Sequence, residues 1–496
     1  MGLTEFLAVF LFVLLADVTI YHGQGFAGWS VFVLLVPLTL LMGTRRIPRS
    51  LIAAFLTGLL LVVSLKLLWL GTPLLVFTGV VLLLAFGMEL SGLTPFVLDI
   101  PVFAIHLWHA GFLRWGDYFE SLKKSNVAIP RAKILQFGLP VLVVIGFSSL
   151  FTMANPDLAE VVKTWITRVH EFMLDSFANR LPSVTEILFC CVMAWLFAGL
   201  LKPVMVKSFL AQFGVPFPVP QQNDTPTQNA VMYPAYFNTL LAVIGLFVVY
   251  LVFEFQTLWF RDFPSGFHYS GYAHEGAAWL TAALALATVL LSAIFRGEVL
   301  RDSRLPKLRR LTWIWSCLNL CLAIAVYHRL LIYVGFNGMT RMRVIGFLGI
   351  TSVVIGFVLV VRKITLGRDF LWLIRRQMWV VTFAGILYVI TPVDALVHRY
   401  NVRRILTGDP APSVQLTVHP IDSNGFLELA PLLGSENEVI REGVRAMLAE
   451  KALELRQLQR ERERTGWTSF QWADSLLSKR LEESQEVWGI YEQSSP

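Results

Sequence analysis

The chain has 496 residues, 56% hydrophobic and only 15% charged, with a formal net charge of +7. So apolar a composition excludes the ordinary water-soluble classes. The basic excess is gathered in short loops between apolar stretches, so it reads as a topology signal, and nucleic acid is not an expected partner.

About eleven apolar stretches fill the first four-fifths of the chain, each near the roughly 20 residues that cross a hydrocarbon core about 30 Å thick. In lipid every backbone N–H and C=O needs an internal partner, so such stretches are helices. They are read at 5–21, 25–43, 51–69, 73–92, 134–153, 186–204, 236–257, 275–295, 311–331, 343–362 and 377–396. The expected fold class is all-α, a polytopic transmembrane helical bundle over 1–404 with a small, mainly helical extramembrane region over 405–496. The N-terminus has neither a basic leader nor a small-residue cleavage site, so the first span is read as a retained anchor.

Three segments between spans stand apart. Residues 94–113 are apolar but broken by Asp99 and Pro101, carry His106 and His109, and read as re-entrant or interfacial. Residues 156–180 place Leu158, Val161, Val162, Trp165, Ile166, Val169, Phe172 and Met173 at helical spacing, an amphipathic helix for the outer surface. Residues 205–235 are Pro-rich and polar, a cytoplasmic loop. Cys190, Cys191, Cys317 and Cys321 all lie inside spans without metal-ligand spacing, so neither a disulfide framework nor a metal centre is expected.

Lys and Arg alternate between loops. Loop 44–50 holds Arg45, Arg46 and Arg49; loop 296–310 holds Arg296, Arg301, Arg304, Lys307, Arg309 and Arg310; loop 362–376 holds Arg362, Lys363, Arg368, Arg375 and Arg376. The intervening loops hold few. This puts the N-terminus in the cytoplasm and the C-terminal region outside.

After Arg404, Thr407–Pro412 reads as a turn-rich linker, and Val414, Leu416 and Val418 alternate like a short strand. Ser435-Glu436-Asn437-Glu438 reads as a capping box for a helix to about Arg464 that stops at Gly466, and a second helix is expected over 469–487. These tail helices offer a surface for a protein partner.

Ionisable groups inside spans are costly, and here they gather at span ends on one side of the membrane. Asp17 lies near the end of the first span, Lys66 near the end of the third and Glu254 at the end of the seventh. His274 and Glu275 open the eighth, His328 and Arg329 close the ninth, Arg341 and Arg343 open the tenth, and Asp394, His398 and Arg399 close the last. Only Glu89 sits at the opposite level. Either these residues are ion pairs that fix helix packing, or they surround a polar site at the outer leaflet.

Three stretches carry a resemblance. The first runs from Glu254-Phe255-Gln256 to His268-Tyr269-Ser270-Gly271-Tyr272-Ala273-His274-Glu275-Gly276. The second is Tyr327–Arg343, with Tyr333, Asn337 and Thr340 beside Arg329, Arg341 and Arg343. The third holds Asp394 and Val397-His398-Arg399-Tyr400-Asn401-Val402. Together they resemble the motifs Q…YAEYARxGFxxL, RMxLYxxxYGLTxxR and VARYN of the uncharacterised bacterial DUF4153/DUF4173 membrane proteins, and Asp17 is similar to an early Asp of that family. The resemblance covers about 230–430 well and the first half loosely. Gly271 stands where the family usually has Glu and His274 where it usually has Arg, which leaves His274 and Glu275 as the candidates for that place. The resemblance implies a multi-span helical membrane protein and no reaction, substrate or cofactor.

The arginines of the second stretch suit a bidentate grip on a carboxylate or phosphate, so the expected ligands are an internal carboxylate, a lipid headgroup or an anionic solute. No HExxH, GxSxG or phosphate-binding glycine loop is present. The expected role is therefore non-enzymatic: sensing, scaffolding or regulation around an outer-leaflet polar site. The alternatives are a transporter of a small ion or anionic solute, and a membrane-embedded transferase or hydrolase.

Overall fold

The computed structural model describes residues 3–46, 48, 50–124, 182–201, 232–256, 302–366, 368 and 370–494, with scattered positions in 163–168 and 279–299. Nine helices among the described residues are long and apolar enough to cross a membrane. The protein is an all-α, multi-pass membrane bundle. The expected span at 134–153, the loop 205–235 as far as Val231, most of 275–295 and almost all of the helix 156–180 lie outside the described residues; from the eighth span the apolar helix Ala282–Leu291 is seen in part.

The first half comprises α1 (Leu3–Ala16), continued by a π-helical turn at Asp17–Tyr21, then α2 (Phe26–Thr44), α3 (Leu51–Leu70), α4 (Pro73–Leu90), α5 (Asp99–Lys124) and α6 (Val184–Leu201). Ser50 and Thr72 cap α3 and α4 with their hydroxyls. Where helices meet, polar groups pair across them: Ser30 Oγ donates to the Ser64 carbonyl at 2.7 Å and Ser64 Oγ to the Ser30 carbonyl at 2.9 Å. Glu89 is held by Ser50, which donates to its carboxylate at 2.5 Å. Outward residues such as Phe6, Leu65 and Phe77 remain exposed, as a lipid-facing surface requires. The stretch 94–113 becomes helical from Asp99 and buries Phe103, Leu107 and Ala110 against its neighbours.

The second half comprises α7 (Tyr233–Glu254), α8 (Leu305–Asn337), α9 (Arg341–Leu366) and α10 (Phe370–Ile390). Two expectations change here. The ninth span, read as 311–331, runs on to Asn337. The last span, read as 377–396, stops at Ile390; Pro392 breaks it and α11 (Val393–Leu406) follows as a separate helix carrying Asp394, His398 and Arg399. Gly335 is helical, so the turn between α8 and α9 is made at Gly338, where φ is +81°.

The tail folds around its own core. It adds α12 (Val414–Val418), α13 (Ser423–Leu427), α14 (Glu438–Thr465) and α15 (Trp472–Glu483). Val414–Val418 is helix, not strand: helical turns begin after Pro410, only Leu416 of the five is buried, and no strand lies beside it among the described residues. Asn437, rather than Ser435, caps α14, its side chain accepting from the Ile440 N–H at 3.3 Å; Gly466 ends the helix at φ +78°. The second helix starts at Trp472, three residues later than read, because 467–471 is spent on contacts with span ends. Val444, Leu448, Leu455, Leu477, Leu481 and Trp488 pack with Val402 and Ile405 of α11. Burying each large apolar side chain contributes about 1.5–3 kcal/mol.

This tail sits on one set of span ends. Thr468 Oγ1 accepts from the Gln24 N–H at 3.2 Å, ahead of α2. Gln471 accepts the Gly71 N–H and donates to the Leu67 carbonyl at 3.1 Å, closing the C-terminus of α3. Trp69 donates to Asn424 at 2.5 Å and stacks near Trp472. A side chain at Gly25 would place its Cβ 2.4 Å from the Ser469 Cα, so glycine is what lets the tail approach α2 so closely. Helices alternate in direction, so the ends carrying Arg45, Arg304 and Arg362 lie on the opposite face.

Candidate functional site

A buried polar cluster lies where α8, α9 and α11 meet beneath the tail. Arg341, at the first turn of α9, makes a bidentate pair with Asp394, at the first turn of α11; the carboxylate is 2% exposed. Asp394 Oδ2 also accepts the Asp422 backbone N–H at 2.9 Å. Asp422 in turn caps α13, accepting the Gly425 N–H at 3.0 Å. One carboxylate thus joins a membrane span to the tail. Lys66 of α3 lies within electrostatic reach of both Asp394 and Asp422.

The electrostatics follow from burial and neighbours. Burial opposes ionisation of Asp394, but the Arg341 guanidinium and the Asp422 N–H outweigh it and hold the carboxyl below its ordinary range. Burial and the charge of Asp394 push Asp422 above its own. His398, one helical turn beyond Asp394, is 5% exposed, and burial lowers its pKa to about 4. Its Nδ1 is buried without a hydrogen-bond partner.

The turn at Gly338 is built by the same elements. Asn401 of α11 accepts the Met339 N–H at 2.7 Å and donates to the Met339 carbonyl at 2.9 Å. A Cβ at Gly338 would lie 2.7 Å from Asn401 Oδ1, and the positive φ adds to that constraint. Thr340 opens α9, its hydroxyl 3.4 Å from the Arg343 N–H. Arg343 is buried, lies over the Tyr333 ring at 3.9 Å, and donates to the Gly338 carbonyl. Arg404 donates to the Val334 and Gly335 carbonyls at 2.8 and 2.5 Å, a cation at a helix C-terminus.

A family match decides what kind of protein carries this arrangement: the family described as "Domain of unknown function (DUF4153)" matches residues 50–423. The chain belongs to the DUF4153 family. No curated protein and no solved structure matches it. The DUF4153 match takes in Arg341, Asp394, His398, Asn401 and Asp422; it stops short of Asn424, Thr468 and Gln471, through which the tail grips α2 and α3.

The other expected site residues of this DUF4153 chain fall elsewhere. Glu254 is fully buried and accepts a bidentate pair from Arg329, with both contacts at 2.5 Å, and the Tyr250 hydroxyl at 2.8 Å. This pair joins α7 to α8. His328 is half-buried within electrostatic reach of Glu254. Asn337 ends α8, half-buried. Arg399 pairs with Glu428 at 2.7 Å on the tail surface, and Tyr400 is exposed beneath Arg404. Asp17 stands apart, beside His22 and Cys190. Tyr272, His274 and Glu275 lie outside the described residues. Among the described residues Glu254 pairs with Arg329, Asp394 with Arg341 and Arg399 with Glu428.

Asp422, Arg404, Asn424 and Gln471 escaped the sequence reading. Each lies where polar residues are ordinary, so nothing marks it as costly. Asp422 alone left a signal: an Asp three residues before Gly425 at the start of a short helix is an N-cap pattern.

Proposed function

We propose that this integral membrane protein is non-enzymatic and regulatory, its tail acting as a common cap that reads the state of the span ends beneath it. The observation that carries the reading is Asp394, held at once by Arg341 of a span and by the Asp422 N–H of the tail. Gln471 on α3 and Arg404 on α8 support it, since displacement of either helix would pull on the tail. In this reading the tail is extracytoplasmic in a bacterial inner membrane, because the Arg-rich span ends lie on the face away from it. A protein partner would meet the tail helices; lipids surround the bundle.

Hydrogen exchange on the full-length protein in lipid nanodiscs tests the coupling. Arg341→Ala and Asp394→Asn should each raise exchange across 421–428 while leaving 51–70 unchanged. Unaltered exchange in 421–428 overturns the reading. Orientation is tested in a background with the native cysteines replaced: Glu450→Cys should react with an impermeant maleimide in intact cells, and Lys307→Cys only after lysis. The reverse pattern inverts the topology.

A second reading, capture of a small anion or lipid headgroup at the α8–α9 turn, has one observation in its favour. Arg343 is buried with no carboxylate partner among the described residues, and its Nε is unsatisfied.

A further inference from the structure

We propose that Asp17, His22, Glu186 and Cys190 form a binding site for a divalent transition metal of the zinc class at the tail-facing mouth of α1 and α6. The ligand atoms of Asp17, His22 and Glu186 lie within 4.8 Å of one another, although the residues come from opposite ends of a long sequence interval. The His22 Nδ1–Asp17 Oδ2 separation is 3.5 Å. That is too long for a good hydrogen bond. It matches the roughly 3.4 Å between two tetrahedral ligands that each stand about 2.0–2.1 Å from a zinc ion. Cys190 Sγ lies 3.9 Å from the other Asp17 oxygen, Oδ1. A thiolate and a carboxylate on one zinc would sit roughly 3.6 Å apart. Cys190 meets this group through Asp17 and lies outside the three mutually close ligand atoms, so its side chain must turn toward the ion to complete a four-ligand shell.

The frame around these groups is already fixed. The π-helical turn Asp17–Tyr21 carries Asp17, and such turns are rare and frequent at functional sites. The Tyr21 hydroxyl binds Ser183 and Thr185, each at 2.7 Å, and so ties that turn to the start of α6, where Glu186 and Cys190 lie one helical turn apart. Glu186 accepts the Ser183 N–H through Oε2 at 3.2 Å and keeps lone pairs for an ion. Among the described residues neither Asp17 nor Glu186 makes an ion pair with Lys or Arg. The His22 side chain is 57% exposed, which gives a hydrated ion access from solvent. A set of one imidazole, two carboxylates and one thiol suits zinc, whereas magnesium and calcium take oxygen ligands alone.

The test uses purified full-length protein in detergent, titrated with Zn2+ against a chromophoric chelator. One equivalent should bind per chain and raise the melting temperature. Asp17→Asn and His22→Ala should each weaken binding at least tenfold and abolish the melting shift, with unchanged metal-free melting as proof of folding. Loading with Co2+ should give a thiolate charge-transfer band that Cys190→Ser removes. Absence of stoichiometric Zn2+ binding, or binding indifferent to Asp17→Asn and His22→Ala, overturns the site. Displacement of Zn2+ by equimolar Mg2+ or Ca2+ overturns the metal class. A Co2+ complex without that band removes Cys190 from the ligand set.

Discussion

Two arginine–carboxylate pairs of the same chemistry occupy very different ground. Arg329 and Glu254 are 7% and 0% exposed and join two neighbouring spans. Arg341 is 42% exposed, and its partner Asp394 is tied onward to the tail. The first pair fastens α7 to α8, with Tyr250 also on its carboxylate. The second lies among Lys66, His398 and Asp422, so protonation or displacement of a neighbour reaches it. What a charge pair does here is set by what else touches it.

The largest test of that contrast removes one partner of the sealed pair. Arg329→Ala removes the guanidinium from a buried carboxylate and should cost about 3–5 kcal/mol. Its readouts are folded yield and thermal unfolding in detergent, and the double variant Arg329→Met, Glu254→Gln should recover most of the loss. If the single variant melts like the parent, the pair is not a fastener.

The pH response should belong to the seam. His398 has a folded pKa of about 4, below the ordinary histidine value of about 6.5, so the unfolded chain binds more protons between these limits. Stability is then full above about pH 6.5 and falls as the pH drops towards 4, at a limiting slope of about 1.4 kcal/mol per pH unit. His398→Gln should flatten the slope while Asp394, Arg341 and Glu428 remain in place. Chemical denaturation at pH 7.5 and 5 measures the difference, and equal slopes in parent and variant would count against a buried neutral imidazole.

Breaking the seam pair should cost less than breaking the sealed one. Arg341→Ala should destabilise by about 1–2 kcal/mol, because exposure screens the pair while the Asp422 N–H still serves the carboxylate. Limited proteolysis should then cut within 407–422 faster than in the parent. The smallest effect is expected of Trp69→Phe, which deletes one hydrogen bond to Asn424 for about 1 kcal/mol. A loss as large as that of Arg329→Ala would mean that the tail contributes to the folding of the bundle itself.

Most of the bundle was legible because lipid makes polar residues conspicuous. Arg329, Arg341 and Asp394 stand out in apolar runs, and the same cost that marks them forces them into pairs. Which carboxylate Arg329 takes was not legible. Glu254 and Arg329 are far apart in sequence, and only the packing of α7 on α8 joins them. In the tail the discriminating signal fades, since Asp422 and Gln471 are unremarkable in a polar segment. Val414–Val418 was misread because five alternating residues fit a strand and a helical turn equally well. The break at Pro392 moved Asp394 from a span to the tail, a change that one residue made and hydropathy averaged away.

The grip of Gln471 on the end of α3 has a consequence for biosynthesis. A ribosome delivers the first four helices to the bilayer hundreds of residues before it makes their lid. Until that late segment emerges, the Leu67 carbonyl and the Gly71 amide must be satisfied by water or by an assembly factor. Chains cut short before this point would carry an open rim, a mark by which cellular quality control could tell unfinished copies from complete ones.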